Sequence, residues 1–166
     1  MKRSDVVRTM QSWIGVREPN HQFILDIYND HLPLARGYTV KNRDAWCATC
    51  ASAALIVNGW TGPTECGCEE WINRLNEVGM YNEDDSYVPQ AGDIIFYDWD
   101  DNGYGDCTGH ADHVGIVEQC NDNIITVIEG NNNNMVRRRN IAVNSRYIRG
   151  YGLPTYEDEA AALPVQ

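Results

Sequence analysis

The chain has 166 residues, 43% apolar and 22% charged, which is one domain's worth of polypeptide with a core large enough to fold without disulfides or a metal. Lys plus Arg is 13 against 24 for Asp plus Glu, a net charge of −11, and that balance excludes a nucleic-acid partner, which needs a basic stripe. No apolar run approaches the ~20 residues of a membrane span. MKRSDVVRTM has no apolar segment behind its basic start, so neither a membrane partner nor a secretory signal is expected. Six cysteines without a signal are then read as reduced thiols.

Ser4 is placed to N-cap a first helix whose apolar positions Val6, Val7, Met10, Trp13 and Ile14 recur at helical spacing. A short helix over 22–29 sets Phe23, Ile24, Ile27 and Tyr28 on one side. Asp44 is a good N-cap for a third, AWCATCASAALIVN, with Gly59 at its stop. A fourth over 69–78 buries Trp71, Ile72, Leu75 and Val78 and ends at Gly79. Beyond Gly92 the period shortens to strand-like runs over 93–97, 113–120, 124–131, 135–143 and 147–151, broken by segments rich in Asp, Asn or Gly. Helices first and strands after are the segregated pattern of an α+β fold, with the helices packed on an antiparallel meander of about five strands. From Glu157 onward EDEAAALPVQ is acidic and aperiodic, which divides the chain into a domain over 1–156 and a linker-like tail over 157–166.

Cys47 falls three residues after Asp44, at the positive end of the third helix, where a thiolate is favoured and free amides can hold an oxyanion. Cys50, one turn later, reads as core, and Cys66 and Cys68 as structural thiols. Cys107, His110 and His113 have a metal-like spacing but no fourth ligand. His113 opens one strand, and Glu129 and Asn131 close the next. A three-residue turn over 121–123 sets Cys120 opposite Ile124 and His113 opposite Asn131, with Glu129 on the same face opposite the small Gly115. A two-residue turn would send Glu129 to the other face. Thiol, base and orienting group are the parts of a cysteine hydrolase. The run Arg137-Arg138-Arg139 reads as exposed strand positions. The loop from Asp98 to Asp106 has Asp98, Asp100, Asn102 and Asp106 at EF-hand ligand positions but Gly109 where the bidentate Glu belongs, which makes it a candidate calcium loop lacking one ligand.

DAWCATCASAA, GDIIFYDWDDNGYGD, HADHVGIVE, VIEGNNNN and YIRGYGLPTY together resemble the CHAP family of cysteine amidohydrolases and peptidases, especially bacteriophage endolysins, over nearly the whole chain. The resemblance implies a papain-like α+β fold of the NlpC/P60-CHAP type and cleavage of an amide bond in peptidoglycan, either muramoyl-alanine amidase or stem-peptide or cross-bridge endopeptidase action. It assigns Cys47 as nucleophile, His113 as base, and Glu129 and Asn131 as orienting groups. Cys50 departs from the family pattern, where an aromatic is more usual. No cofactor is required by this chemistry, although some relatives bind calcium in an acidic loop. The implied setting is a phage lysin made in the host cytoplasm that reaches the wall after holin-type release. A domain of charge −11 is repelled by anionic walls, so a C-terminal wall-binding module is expected as a partner. The competing expectations are a non-catalytic wall- or calcium-binding module on the same fold, and a cysteine peptidase acting on protein.

Overall fold

The computed structural model describes residues 1–101 and 107–157. The proposed tail, apart from its first residue, and the candidate ligands Asn102 and Asp106 lie outside those residues. Four helices, α1 (Arg3–Trp13), α2 (Gln22–Asn29), α3 (Cys47–Val57) and α4 (Cys68–Glu77), precede the main strands. The strands are β1 (Tyr81–Asn82), β2 (Ile94–Tyr97), β3 (His113–Asn121), β4 (Ile124–Glu129), β5 (Arg137–Ala142) and β6 (Ile148–Gly152). All pair antiparallel, in the order β1-β6-β2-β3-β4-β5. This is the expected papain-like α+β fold, although the sheet is not a simple meander. The chain runs in sequence from β2 to β5, and then β6 returns to the far side of β2, where a short sixth strand, β1, borders it.

The central helix α3 explains why a Cys-Ala-rich segment sits in the middle of the molecule. Residues 47–55 are buried on every side, the pattern of a core helix rather than a surface one. Ala48, Ala51, Ala53 and Ala54 keep it slim enough to pack against α2 and β3 at once. The sheet face bearing Ile94, Phe96, Val114, Ile116 and Ile128 joins the helices in one hydrophobic cluster. Ile95, Tyr97, Val117, Ile125 and Val127 form a second cluster with Ile148 and Tyr151. Both faces are buried, so strand register decides which layer each side chain enters.

Two helix starts differ from expectation. The residue before α1 is Lys2 rather than Ser4. The residue before α3 is Trp46, because the Asp44 carboxylate instead accepts the Lys41 amide at 2.8 Å and the Tyr38 hydroxyl at 2.7 Å, which fixes the preceding turn. Cys47 is therefore the first residue of its helix.

Candidate active site

Trp46 anchors the start of α3. It is fully buried, its Nε1 donates to Glu18 Oε1 at 2.8 Å, and its ring lies 4.9 Å from that of His21. Opposite it the chain passes at Gly130, where a Cβ would lie 2.5 Å from Cys50 Cβ and 3.1 Å from Trp46 Cε3. That close approach accounts for the small Cys50 at this position: a larger side chain would have to displace the turn that follows Glu129. Burial pushes the Cys50 thiol up, out of range of ordinary reactivity.

The turn joining β3 to β4 has two residues, not the three expected, since Asn121 pairs with Ile124. Asp122 and Asn123 both have positive φ, 52° and 61°, as a tight primed turn requires. A two-residue turn alone would send Glu129 to the wrong face. The register shifts by one between Val117 and Gln119, however, and by Ile116↔Ile128 the pairing is the one a three-residue turn would have produced. The extra residue is Glu118, a β-bulge. Glu129 consequently lies beside Gly115, whose missing side chain is needed: a Cβ there would fall 2.8 Å from Glu129 Cγ.

His113, the first residue of β3, is 9% exposed, and Glu129 is fully buried. His113 Nε2 lies 3.0 Å from Glu129 Oε1. The imidazole also lies near enough to the Cys47 thiol for each group to shift the other's ionisation. The ring runs nearly parallel to that of Tyr97, its partner across β2 and β3, at 5.8 Å. Asn131 is not part of this contact set among the described residues. It has a left-handed backbone, φ 55°, and the amide that reaches Glu129 is that of Asn132, donating from Nδ2 at 3.1 Å.

Two further residues complete the site, and both differ from their sequence reading. Arg139 is not an exposed strand position: its Nε lies 2.9 Å from each Glu129 oxygen, and its guanidinium packs 4.7 Å from the Trp99 ring. Arg138, beside it, faces out and pairs with Glu118. Cys68 is not a remote structural thiol, because its Sγ lies 3.7 Å from Cys47 Sγ. The segment leading to it is fixed to α3 by Ser52, whose hydroxyl donates to the Glu65 carbonyl and accepts the Glu65 amide. The Glu65 carboxylate is fully buried and paired with Arg36 at 2.7 Å.

These contacts set the charges. The Cys68 hydrogen bond, more than offsetting burial, holds the Cys47 thiol well below its ordinary 9.0, with further help from His113 and the Ala48 amide. Cys68 is correspondingly pushed up by its contact with Cys47 and by burial, and stays protonated. Burial alone would lower His113, but its interactions with Cys47 and Glu129 raise it to about 9. Burial works against ionisation of Glu129 as well, yet His113 and Arg139 hold it below the ordinary carboxylate value. These shifts favour a thiolate beside an imidazolium, backed by a carboxylate and a guanidinium. Cys47, Ala48 and Thr49 precede the first acceptor-matched amide of α3, that of Cys50, so the helix start presents donors where an oxyanion could form.

Asp98, Asp100 and Asp112 bring carboxylate oxygens within 4.8 Å of one another, the one such His/Cys/Asp/Glu group among the described residues. Three carboxylates suit a hard divalent cation such as calcium. Asp98 already accepts the amides of Asp100 and His110, and Asp112 that of Trp99. Cys107, His110 and His113 do not converge.

A family profile described as the CHAP domain matches residues 38–131, more than half of the chain. No curated protein sequence matches. Among solved structures, one described as "The crystal structure of Ly7917" is similar at 15% identity, with a TM-score of 0.43, covering 93% of this chain and 63% of that one. The chain thus spans less than two thirds of that protein's length.

Proposed function

The chain belongs to the CHAP domain family, a family of amidases and peptidases, and we propose that it is a cysteine-dependent hydrolase that cuts an amide bond of bacterial peptidoglycan, as an endolysin does. The observation that carries this reading is the meeting of the Cys47 thiolate, at the first residue of a buried helix, with a His113 backed by Glu129 at 3.0 Å. A free cysteine has no need of that environment, whereas acyl transfer needs each part.

In the proposed reaction the Cys47 thiolate attacks the amide carbonyl, and the α3 amides stabilise the resulting oxyanion. His113, charged at neutral pH, protonates the departing amine and then, as a neutral base, takes a proton from the water that hydrolyses the acyl-enzyme. Glu129 orients the ring and favours its charged form. A net charge of −11 disfavours capture by an anionic wall, and on this reading a separate wall-binding module would bring the domain to its substrate.

Mass spectrometry of fragments released from purified Gram-positive sacculi by wild type and by Cys47→Ala tests the proposal. New amines from wild type alone are the expected result, and the fragment masses name the bond. Cleavage of protein substrates with sacculi left intact would move the assignment to a protein-directed peptidase. Retention on the wall without release of amines by either protein would overturn catalysis altogether.

A further inference from the structure

The second thiol at the site takes no covalent part in the hydrolysis just described. Cys47 and Cys68 are each the first residue of a helix, α3 and α4, so the two helix starts converge on one pair of sulfurs 3.7 Å apart. Their placement is not a loose surface encounter. Ser52, Glu65 and Arg36 fix the chain before Cys68, and Glu69 Oε2 accepts the amide of Ala111, two residues before His113, at 2.8 Å. Cys50 lies on the same helix and Cys66 two residues from Cys68, yet neither makes a sulfur contact with Cys47; Cys66 instead bonds Arg36 and Glu65.

We propose that Cys47 and Cys68 form a reversible redox pair, in which Cys68 captures the oxidised nucleophile as an internal disulfide. With hydrogen peroxide as oxidant, the Cys47 thiolate attacks one peroxide oxygen and the O–O bond breaks. This yields the Cys47 sulfenic acid and releases hydroxide, sulfur being oxidised by two electrons and the peroxide reduced. The Cys68 sulfur then attacks the Cys47 sulfur, the S–O bond breaks, and the Cys68 proton leaves with the hydroxyl as water. A dithiol reverses the bond by exchange. The division of protons in the pair suits both steps: Cys47 is the thiolate that reacts with peroxide, and Cys68 supplies the proton that makes hydroxyl a leaving group. Cys68 thereby shields the nucleophile from irreversible sulfinic and sulfonic acids, and the oxidised form lacks the thiolate that hydrolysis needs. That last consequence rests on the proposed hydrolase role of Cys47, whereas the bond does not.

The test is hydrogen peroxide treatment of the whole protein, alkylation of remaining thiols in denaturant, and cleavage after Arg43 and Glu65, which puts Cys47 and Cys68 on different fragments. The expected product lacks the mass of two hydrogens, links 44–65 to 66–69 through Cys47 and Cys68 on fragmentation, and reverts fully with dithiothreitol. In Cys68→Ala the same treatment should carry Cys47 on to irreversible acids. The wild-type map decides the matter even if that variant does not fold. Over-oxidised Cys47 in wild type without a bridge, or a bridge from Cys47 to Cys50 or Cys66, would overturn the proposal. A Cys47–Cys68 bridge in a protein that releases nothing from sacculi would sink the hydrolase reading alone. Hydrolysis that is lost to peroxide and not regained with dithiothreitol would sink the redox pair alone.

Discussion

Replacing Glu129 by Gln removes one buried negative charge and keeps the shape of the side chain. The carboxylate lies 3.0 Å from His113 Nε2, and two unit charges centred about 4 Å apart interact by about 4 kcal/mol at an effective dielectric of 20. Arg139, bonded to the same carboxylate, cancels part of that field at the ring, which leaves a fall of roughly 1–2 units in the His113 pKa. From about 9 in the native site, the imidazolium would then titrate close to neutrality. The leaving amine takes its proton from that imidazolium, so the alkaline limb of kcat/KM should move to lower pH by the same interval. Amine release from solubilised wall fragments across the pH range reads the limb, and the His113 ring proton shift in NMR reads the titration without relying on activity. A folded Glu129→Gln protein whose limb and ring titration both coincide with wild type would refute the electrostatic role assigned to Glu129.

Arg139→Gln should move the same limb the other way, to higher pH, because it takes a cation from beside His113; kcat should fall roughly 10–100-fold if one charge-assisted contact is lost, and the pH profile distinguishes this from a general structural defect. Gly115→Ala places a Cβ 2.5 Å from Val127 Cγ1 and 2.8 Å from Glu129 Cγ; overpacking of about 1–3 kcal/mol is expected as a lower urea midpoint, with amine release reduced further than stability alone explains. Stability against pH offers a fourth check. The raised His113 contributes stability that is complete below 6.5 and lost as pH rises to about 9, while the lowered Cys47 contributes stability that is complete above 9.0 and lost as pH falls toward its depressed value. Between 6.5 and 9 the two cancel, since thiolate plus imidazolium carries as many protons as thiol plus imidazole. Urea midpoints should show no slope from this pair there and should decline below 6.5, and a steady fall in the contribution across 6.5 to 9, isolated by comparison with Cys47→Ala, would refute the ion pair.

How much of the fold can be read from the chain depends on whether the signal is local. Helix α2 falls on 22–29 as its spacing predicts, and four of the five expected strands start within one residue of their predicted positions, while the fourth begins two residues late. The failures are non-local. Nothing in 147–151 says that this strand will cross back to β2 rather than extend the meander beyond β5. The contact between His113 and Glu129 is the instructive case: a three-residue turn is the wrong premise, and the face-sharing it predicts nevertheless occurs, because the bulge at Glu118 restores the register that the two-residue turn would have lost. Strand alternation alone sees the parity of the whole hairpin but not which residue supplies the odd count.

The same distinction separates the site residues that the motifs mark from those they hide. Cys47, His113 and Glu129 stand at element ends, where a helix start or strand end gives a side chain a direction before any tertiary contact is known. Cys68 and Arg139 depend on partners far away in sequence. Cys68 reaches Cys47 because Ser52 and Arg36 hold Glu65, and a Glu-Cys-Gly-Cys string carries no mark of that. Arg139 sits in a run of three arginines whose alternation on β5 sends Arg138 outward to Glu118 and Arg139 inward to Glu129. One signal was available for Arg139: Glu129, expected beside His113, is buried between strands, and a buried carboxylate needs more than one donor. Asking which cation could satisfy Glu129, with β5 the next strand in the meander, leads to the arginine run on β5, where parity puts Arg137 and Arg139 on Glu129's face and the structure gives the bonds to the diagonal Arg139. No comparable demand points to Cys68, because a neutral thiol is content in a core, and its importance appears only in the 3.7 Å contact between the two sulfurs.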